Sequence, residues 1–101
     1  MASNRHLGRI VALQTLYEHD FREESHDQAL QLQEVLGRNI QRYRETIDDI
    51  AFVEALVQGT HKHISELDDV IRPIAPEWPI EQIARIDRNI LRLALWELLY
   101  A

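Results

Sequence analysis

The chain has no cysteine, so it has neither a disulfide frame nor thiolate chemistry, which suits a reducing cytosol. Glycine is scarce as well, with three in 101 residues, and no glycine-rich loop is present that could cradle a phosphate. All three prolines, Pro73, Pro76 and Pro79, fall in one stretch of seven residues, which leaves the rest of the chain free of the strongest helix breaker. No apolar run approaches the ~18 residues needed to cross a bilayer. The opening MASNRHLGRI lacks the apolar stretch of a signal peptide, so a cytoplasmic location is expected. Alternation of the strand type and internal repeats are both absent. Positive charge is in deficit: a net charge of −6 argues against wholesale coating of nucleic acid, but it leaves room for a local basic patch.

What remains is 46% apolar and 28% charged, the composition of one soluble domain over residues 1–101 with a single core. The spacing predicts an all-α chain. Ser3 or Asn4 can cap a first helix running to about Phe21, with Leu7, Ile10, Gln14, Tyr17 and Phe21 as its inward stripe and the Gln14 amide hydrogen-bonded within the fold. Ser25 can cap a second helix that turns Ala29, Leu32, Val35 and Leu36 inward, with Gly37 as its end or a weak point. Thr46-x-x-Asp49 reads as a capping box variant, with Asp48 and Asp49 in the first turn. Ile50, Val53, Val57, Thr60, Ile64, Leu67 and Ile71 then make the seam of one long helix of about six turns. Gly59 within it costs roughly 1 kcal/mol against alanine, which predicts close helix approach there.

The stretch from Ile71 to Ala101 is expected to organise the rest. The prolines make a rigid connector, and Pro79 suits the first turn of a helix continuing from Ile80. Ile80, Ile83, Ile90, Leu91, Ala94 and Leu98 share one face, and Glu81, Arg85, Arg88 and Arg92 another. Asp87 falls within the apolar face, where a carboxylate must find a partner, either an arginine of the same chain or a second protein. Beyond Arg92 only Glu97 is polar, as expected of a helix at the centre of something.

Reactive groups are few. His61 and His63, two apart, lie on different sides of a helix, so no metal is expected there. Asp48/Asp49 are explained by capping and Asp68/Asp69 by a solvated face. No arrangement suggests a nucleophile, so neither an enzyme nor a cofactor is expected. Arg5, His6 and Arg9 put positive charge at the start of an acidic chain and suit phosphates, although solvated residues at a frayed end would look the same. Tyr17 could stack a base, but at helical spacing it also reads as core.

RHLGRIVALQTLYEHD near the start and DRNILRLALWELLY near the end are two segments that resemble the NusB family of bacterial transcription antitermination factors. RHLGRIVALQTLYEHD is similar to the family's arginine-studded opening helix with its A-x-Q-x-LY pattern. The later F-x-x-x-L-x-x-G, the L-D-x-x-I before the proline connector, and DRNILRLALWELLY match it more specifically. The resemblance covers nearly the whole chain, with residues 22–45 matching only as a variable helical hairpin. It implies an all-helical fold that binds boxA-type ribosomal RNA leader RNA together with the ribosomal protein NusE, within the RNA polymerase antitermination complex. On this resemblance Arg5, His6, Arg9, Gln14 and Tyr17 serve RNA, and Glu81, Asp87 and Arg88 serve NusE. Leu7 and Gly8 stand where some members carry further basic residues, which implies a thinner RNA patch.

Family members continue past the final E-L-L run with further helices. The sequence therefore predicts a NusB-like bundle lacking the last helices of the family, as a fragment or covered by another copy. Leu93, Trp96, Leu99 and Tyr100 in water would expose apolar surface worth on the order of 10 kcal/mol, so self-association through this end is expected. Two alternatives stand beside this reading. One is the N-terminal RNA-binding domain of a ribosomal RNA cytosine methyltransferase, disfavoured by the methionine-initiated start. The other is a helical protein-interaction module without an RNA role.

Overall fold

A computed structural model of the chain describes residues 5–24, 31–74, 80 and 83–101. Among these residues the fold is five helices: α1 (Arg5–Glu24), α2 (Leu32–Tyr43), α3 (Ile50–Lys62), α4 (Ile64–Ile74) and α5 (Arg85–Tyr100). The expected caps Ser3, Asn4 and Ser25, the expected core residue Ala29, and Glu81 lie outside the described residues. The centre of the bundle is α1 against α3 rather than the C-terminal stretch. The main core joins Val11, Ala12 and Leu16 of α1 to Val53, Leu56 and Val57 of α3, with Leu32 and Leu36 of α2 and Leu93 of α5 closing it. α5 packs against α1, α3 and α4.

Along α1 the inward stripe sits one residue away from the expected one. Val11, Ala12, Thr15, Leu16 and His19 are buried, whereas Ile10, Tyr17 and Phe21 are exposed at 47%, 37% and 49%. Both sets have helical spacing; the small residues win because they let α2 and α3 approach closely. Gln14, expected within the stripe, is half-buried beside it. Thr15 makes this polar seam tolerable by donating to the Val11 carbonyl and accepting from the Asn39 amide of α2 at 3.0 Å. Leu32, Val35 and Leu36 of α2 turn inward as expected, and Gly37 lies within the helix rather than at its end.

α3 begins one residue after its cap. Asp49 is the N-cap and accepts from the Phe52 amide at 3.0 Å, while the Thr46 hydroxyl donates backward to the Tyr43 carbonyl. The expected box from Thr46 to Asp49 is therefore not made: Asp49 is itself the cap, and neither it nor Asp48 lies in the first turn. Asp49→Ala is expected to cost about 1 kcal/mol by leaving a first-turn amide unpaired, and Asp48→Ala close to nothing. Urea unfolding of the two variants side by side checks this, and equal losses would refute the assignment.

The expected six-turn helix is two helices. At His63 the backbone amide turns to the carbonyls of Gly59 and Thr60, and its Nδ1 lies 2.8 Å from the Gly59 oxygen. His63 is the C-cap of α3, with φ −107° and ψ 17°, and the helix ends there. The seam itself survives the break, since Val53, Val57, Thr60, Leu67 and Ile71 are all buried. Pro73 lies inside the last turn of α4, so the helix reaches two residues past Arg72 and into the expected connector. α5 starts later than expected. Ile80 is buried in a short turn, Ala84 is the N-cap, and the helix runs from Arg85.

The faces of α5 are the reverse of the expectation. Ile90, Leu91 and Leu98 point outward at 44%, 42% and 79% exposure, whereas Asn89, Arg92 and Leu93 are buried. The arginine side points into the bundle because carboxylates await it. Arg92 forms a two-pronged pair with Asp68 of α4, at 2.8 Å for both bonds. Arg88 and Asn89 donate to Asp20 of α1 at 2.8 and 3.0 Å. Asp68 is thus a buried partner rather than part of a solvated face, whereas Asp69 is exposed and pairs with Arg72. Burial alone would push the Asp20 carboxyl up, but the hydrogen bonds from Arg88 and Asn89 and the nearby arginine charges hold it below its ordinary value. Asp87, placed by spacing within an apolar face, is exposed in the first turn of α5, where the helix dipole favours its charge.

Candidate nucleic-acid and partner interface

The first turns of α1 bring Arg5, His6 and Arg9 to an exposed edge of the bundle. What organises them is Phe52 on α3. The Arg5 guanidinium lies 4.6 Å from the centre of the Phe52 ring and that of Arg9 lies 5.5 Å away. A cation over an aromatic face is held in place without spending its hydrogen-bond donors, so the Arg5 fork keeps its N–H groups for an outside acceptor. Gly8 makes the arrangement possible. A Cβ at position 8 would stand 3.2 Å from the Phe52 ring and 3.3 Å from Val53. Position 8 faces α3, so a basic residue there would not extend this surface without separating the two helices.

Arg9 has a second partner. Its Nε and Nη2 donate to the Glu97 carboxylate of α5 over 2.9–3.1 Å, in the open, with 44% of the Arg9 side chain exposed. The hydrogen bond to Glu97 raises the Arg9 pKa, burial opposes the rise, and the carboxylate charge adds to it. Glu97 is thus the built-in occupant of a fork that also suits a phosphate. Between α1 and α5, next to this pair, runs a cavity of about 230 Å³. His6, Ile10 and Leu13 line one wall, and Ile90, Leu93 and Ala94 the other. Tyr17, two turns along α1 from Arg9, is on the surface and not in the core.

The residues expected to meet a protein partner are divided. Asp87 is exposed, and Arg88, with 11% of its side chain accessible, is held by Asp20. Of the four residues expected to self-associate, two are already covered by the chain itself. Leu93 is 6% exposed within the core, and Trp96 is half-buried against Gly59. Leu99 and Tyr100 are exposed at 56% and 46%, although the Tyr100 ring stacks on His63 at 4.2 Å and its hydroxyl donates to Glu66. The outward apolar face is instead Ile86, Ile90, Leu91, Leu98 and Leu99.

Phe52 and Glu97 are the functional neighbours that spacing did not single out. Phe52 opens the F-x-x-x-L-x-x-G run, and Glu97 is the lone polar residue of the apolar end. Each was visible as a type, but its contact with Arg9, 88 residues from Glu97, was not.

These features define a small all-α protein that presents a cationic edge backed by an aromatic ring beside an apolar groove. The NusB family matches residues 6–101, and the chain belongs to it. A protein from Chloroflexus aggregans named transcription antitermination protein NusB is 40% identical over 99 residues, covering 98% of this chain and 62% of its own length. Proteins of the same name from Roseiflexus castenholzii and Dehalococcoides mccartyi are 38% and 36% identical, each covered over 66% of its length. The chain thus spans just under two thirds of the length of these relatives. No solved structure matches it. Among the described residues no helix is long and apolar enough to cross a membrane.

Proposed function

We propose that this chain is the RNA-contacting part of a transcription antitermination factor, without catalytic activity, that binds boxA-type ribosomal RNA leader RNA. The observation that carries the reading is the pair of exposed guanidinium groups, Arg5 and Arg9, laid over one Phe52 ring. Phosphates would take the forks, with His6 beside them. Exposed Tyr17 offers a face on which an unpaired base can stack, and half-buried Gln14 an amide for its edge. The names of the relatives support the same role.

The proposal extends to two protein contacts. The start of α5, with Asp87 exposed, is the surface proposed for NusE, and through it for the RNA polymerase antitermination complex. The outward face of α5, ending in Leu99 and Tyr100, is proposed to receive a second copy of the chain.

The test is a gel-shift titration of boxA RNA, with and without NusE, at several salt concentrations. Arg5→Ala combined with Arg9→Ala is expected to weaken binding at least ~10-fold and to flatten the salt dependence by about 1.4 in log–log slope, two phosphates at ~0.7 each. Glu97→Gln, which frees Arg9, is expected to tighten it. Unchanged affinity and slope in the double variant would overturn the RNA reading. Light scattering on the same samples reads the oligomeric state, where a dimer is expected and a monomer at high concentration would remove the self-association.

A further inference from the structure

Away from the Arg5–Arg9 edge, α1 and α3 bring two imidazoles and a carboxylate together. His19 and Glu23 are one turn apart on α1, with His19 Nε2 3.7 Å from Glu23 Oε1. His61 enters from α3, its ring meeting that of His19 edge-on at 5.3 Å between centres. One ligand atom from each of the three lies within 4.8 Å of the others. We propose that His19, Glu23 and His61 form a binding site for a divalent first-row transition metal of the zinc type.

The chemistry of the donors selects the ion. Two imidazole nitrogens and one carboxylate oxygen suit Zn(II) and its neighbours, whereas Ca(II) and Mg(II) call for oxygen shells. Tetrahedral ligands at ~2.0–2.1 Å from zinc stand about 3.3 Å apart, so the cluster must contract by roughly 1.5 Å at most. The residues divide that task well. His19 is buried at 8% exposure, His61 is half-buried, and Glu23, with 67% of its side chain exposed, has room to swing in. Other carboxylates on the inward side of the bundle are already committed to arginines: Glu18 to Arg38, Asp20 to Arg88 and Asp68 to Arg92. Glu23 is paired with His19 instead. A fourth position stays open to water. An ion held here ties α1 to α3, the two helices that build the core, at the end of α1 remote from Arg5 and Arg9.

His61 and His63, two positions apart, do not share an ion. The site needs His19, which lies 42 positions earlier on another helix, so no spacing rule within one helix could reveal it.

The experiment is calorimetric titration of the metal-stripped chain with ZnCl2, alongside CoCl2 titration followed by visible absorption. One equivalent is expected to bind in the micromolar range, with an intense tetrahedral Co(II) band and a rise in Tm of about 10 °C at a hundredfold excess over Kd. His61→Gln and His19→Gln are expected to abolish binding, and Glu23→Gln to weaken it at least ~10-fold. His63→Gln is expected to leave it intact. Circular dichroism of each metal-free variant establishes that it is folded, and Glu23→Gln, at an exposed position, keeps the test sharp if a histidine variant is not. No binding, or binding that survives both His61→Gln and Glu23→Gln, overturns the proposal. RNA affinity plays no part in these readouts, so this site and the RNA reading stand or fall separately.

Discussion

Arg92→Ala is expected to lower the unfolding free energy by about 3–5 kcal/mol, a large part of what a domain of this size possesses. The guanidinium meets Asp68 through two bonds of 2.8 Å, and only about 10% of either side chain remains exposed. Bringing both charges out of water is costly, and their attraction roughly offsets that cost while both are present. Removing the arginine leaves the Asp68 carboxylate buried without its counter-ion. The reverse change is expected to cost less. In Asp68→Ala the guanidinium keeps a second carboxylate within reach, since Arg92 Nη1 is 3.8 Å from Asp20 Oδ2. Replacing both at once, Arg92→Met with Asp68→Leu, is expected to lie within ~1 kcal/mol of the parent, because no charge is left buried. Urea unfolding followed at 222 nm measures all three. Equal losses for the two single variants would show that Asp20 gives no support, and a double variant as unstable as Arg92→Ala would mean that the pair itself is strongly stabilising.

The same pair shows where the sequence could be read and where it could not. The seam of α3 and α4 was legible because Val53, Val57, Thr60, Leu67 and Ile71 lie on one face with polar residues opposite. α5 carries apolar residues on more than one face, and an arginine has a long apolar stem, so polarity alone pointed its inward side the wrong way. The information that reverses it sits elsewhere, in Asp68 at 24 positions' distance and Asp20 at 68 positions from Arg88. α1 failed more gently. Gly8, Ala12 and Thr15 look too small or too polar for a core, yet they allow the close approach that fills it. Asp87 follows its face: once α5 turns, a carboxylate that spacing places against the core stands in solvent at a helix start. Within the candidate interface Arg5, His6 and Arg9 were legible from charge against an acidic background. Phe52 and Glu97 were not, since a cation over a ring and a carboxylate in a fork are facts of tertiary contact.

Gly59→Ala is expected to destabilise the fold by about 1–2 kcal/mol, although alanine is the better helix former by ~1 kcal/mol. A Cβ built at Gly59 falls 2.2 Å from both Cε2 and Cζ2 of Trp96, and 2.5 Å from its Nε1. Carbon atoms not bonded to each other settle at about 3.5–4.0 Å, so the indole or the whole of α5 must retreat by more than ~1 Å. The indole is a rigid plane packed on the core, and no small adjustment clears the new methyl. Gly59→Val is expected to cost more again. The decisive comparison is made in a Trp96→Ala background, where the obstacle is gone and only the helix preference remains. There Gly59→Ala is expected to stabilise, so the sign of one substitution reverses with the residue opposite it. Thermal and urea unfolding of the four chains measure the reversal, and a Gly59→Ala loss of the same size with and without Trp96 would place its cause outside this contact. The substitution also reaches the interface. Glu97 follows Trp96 directly, so a retreat of α5 draws its carboxylate from Arg9 and leaves that fork to whatever phosphate is offered. In folded Gly59→Ala protein, RNA affinity is therefore expected to rise as stability falls.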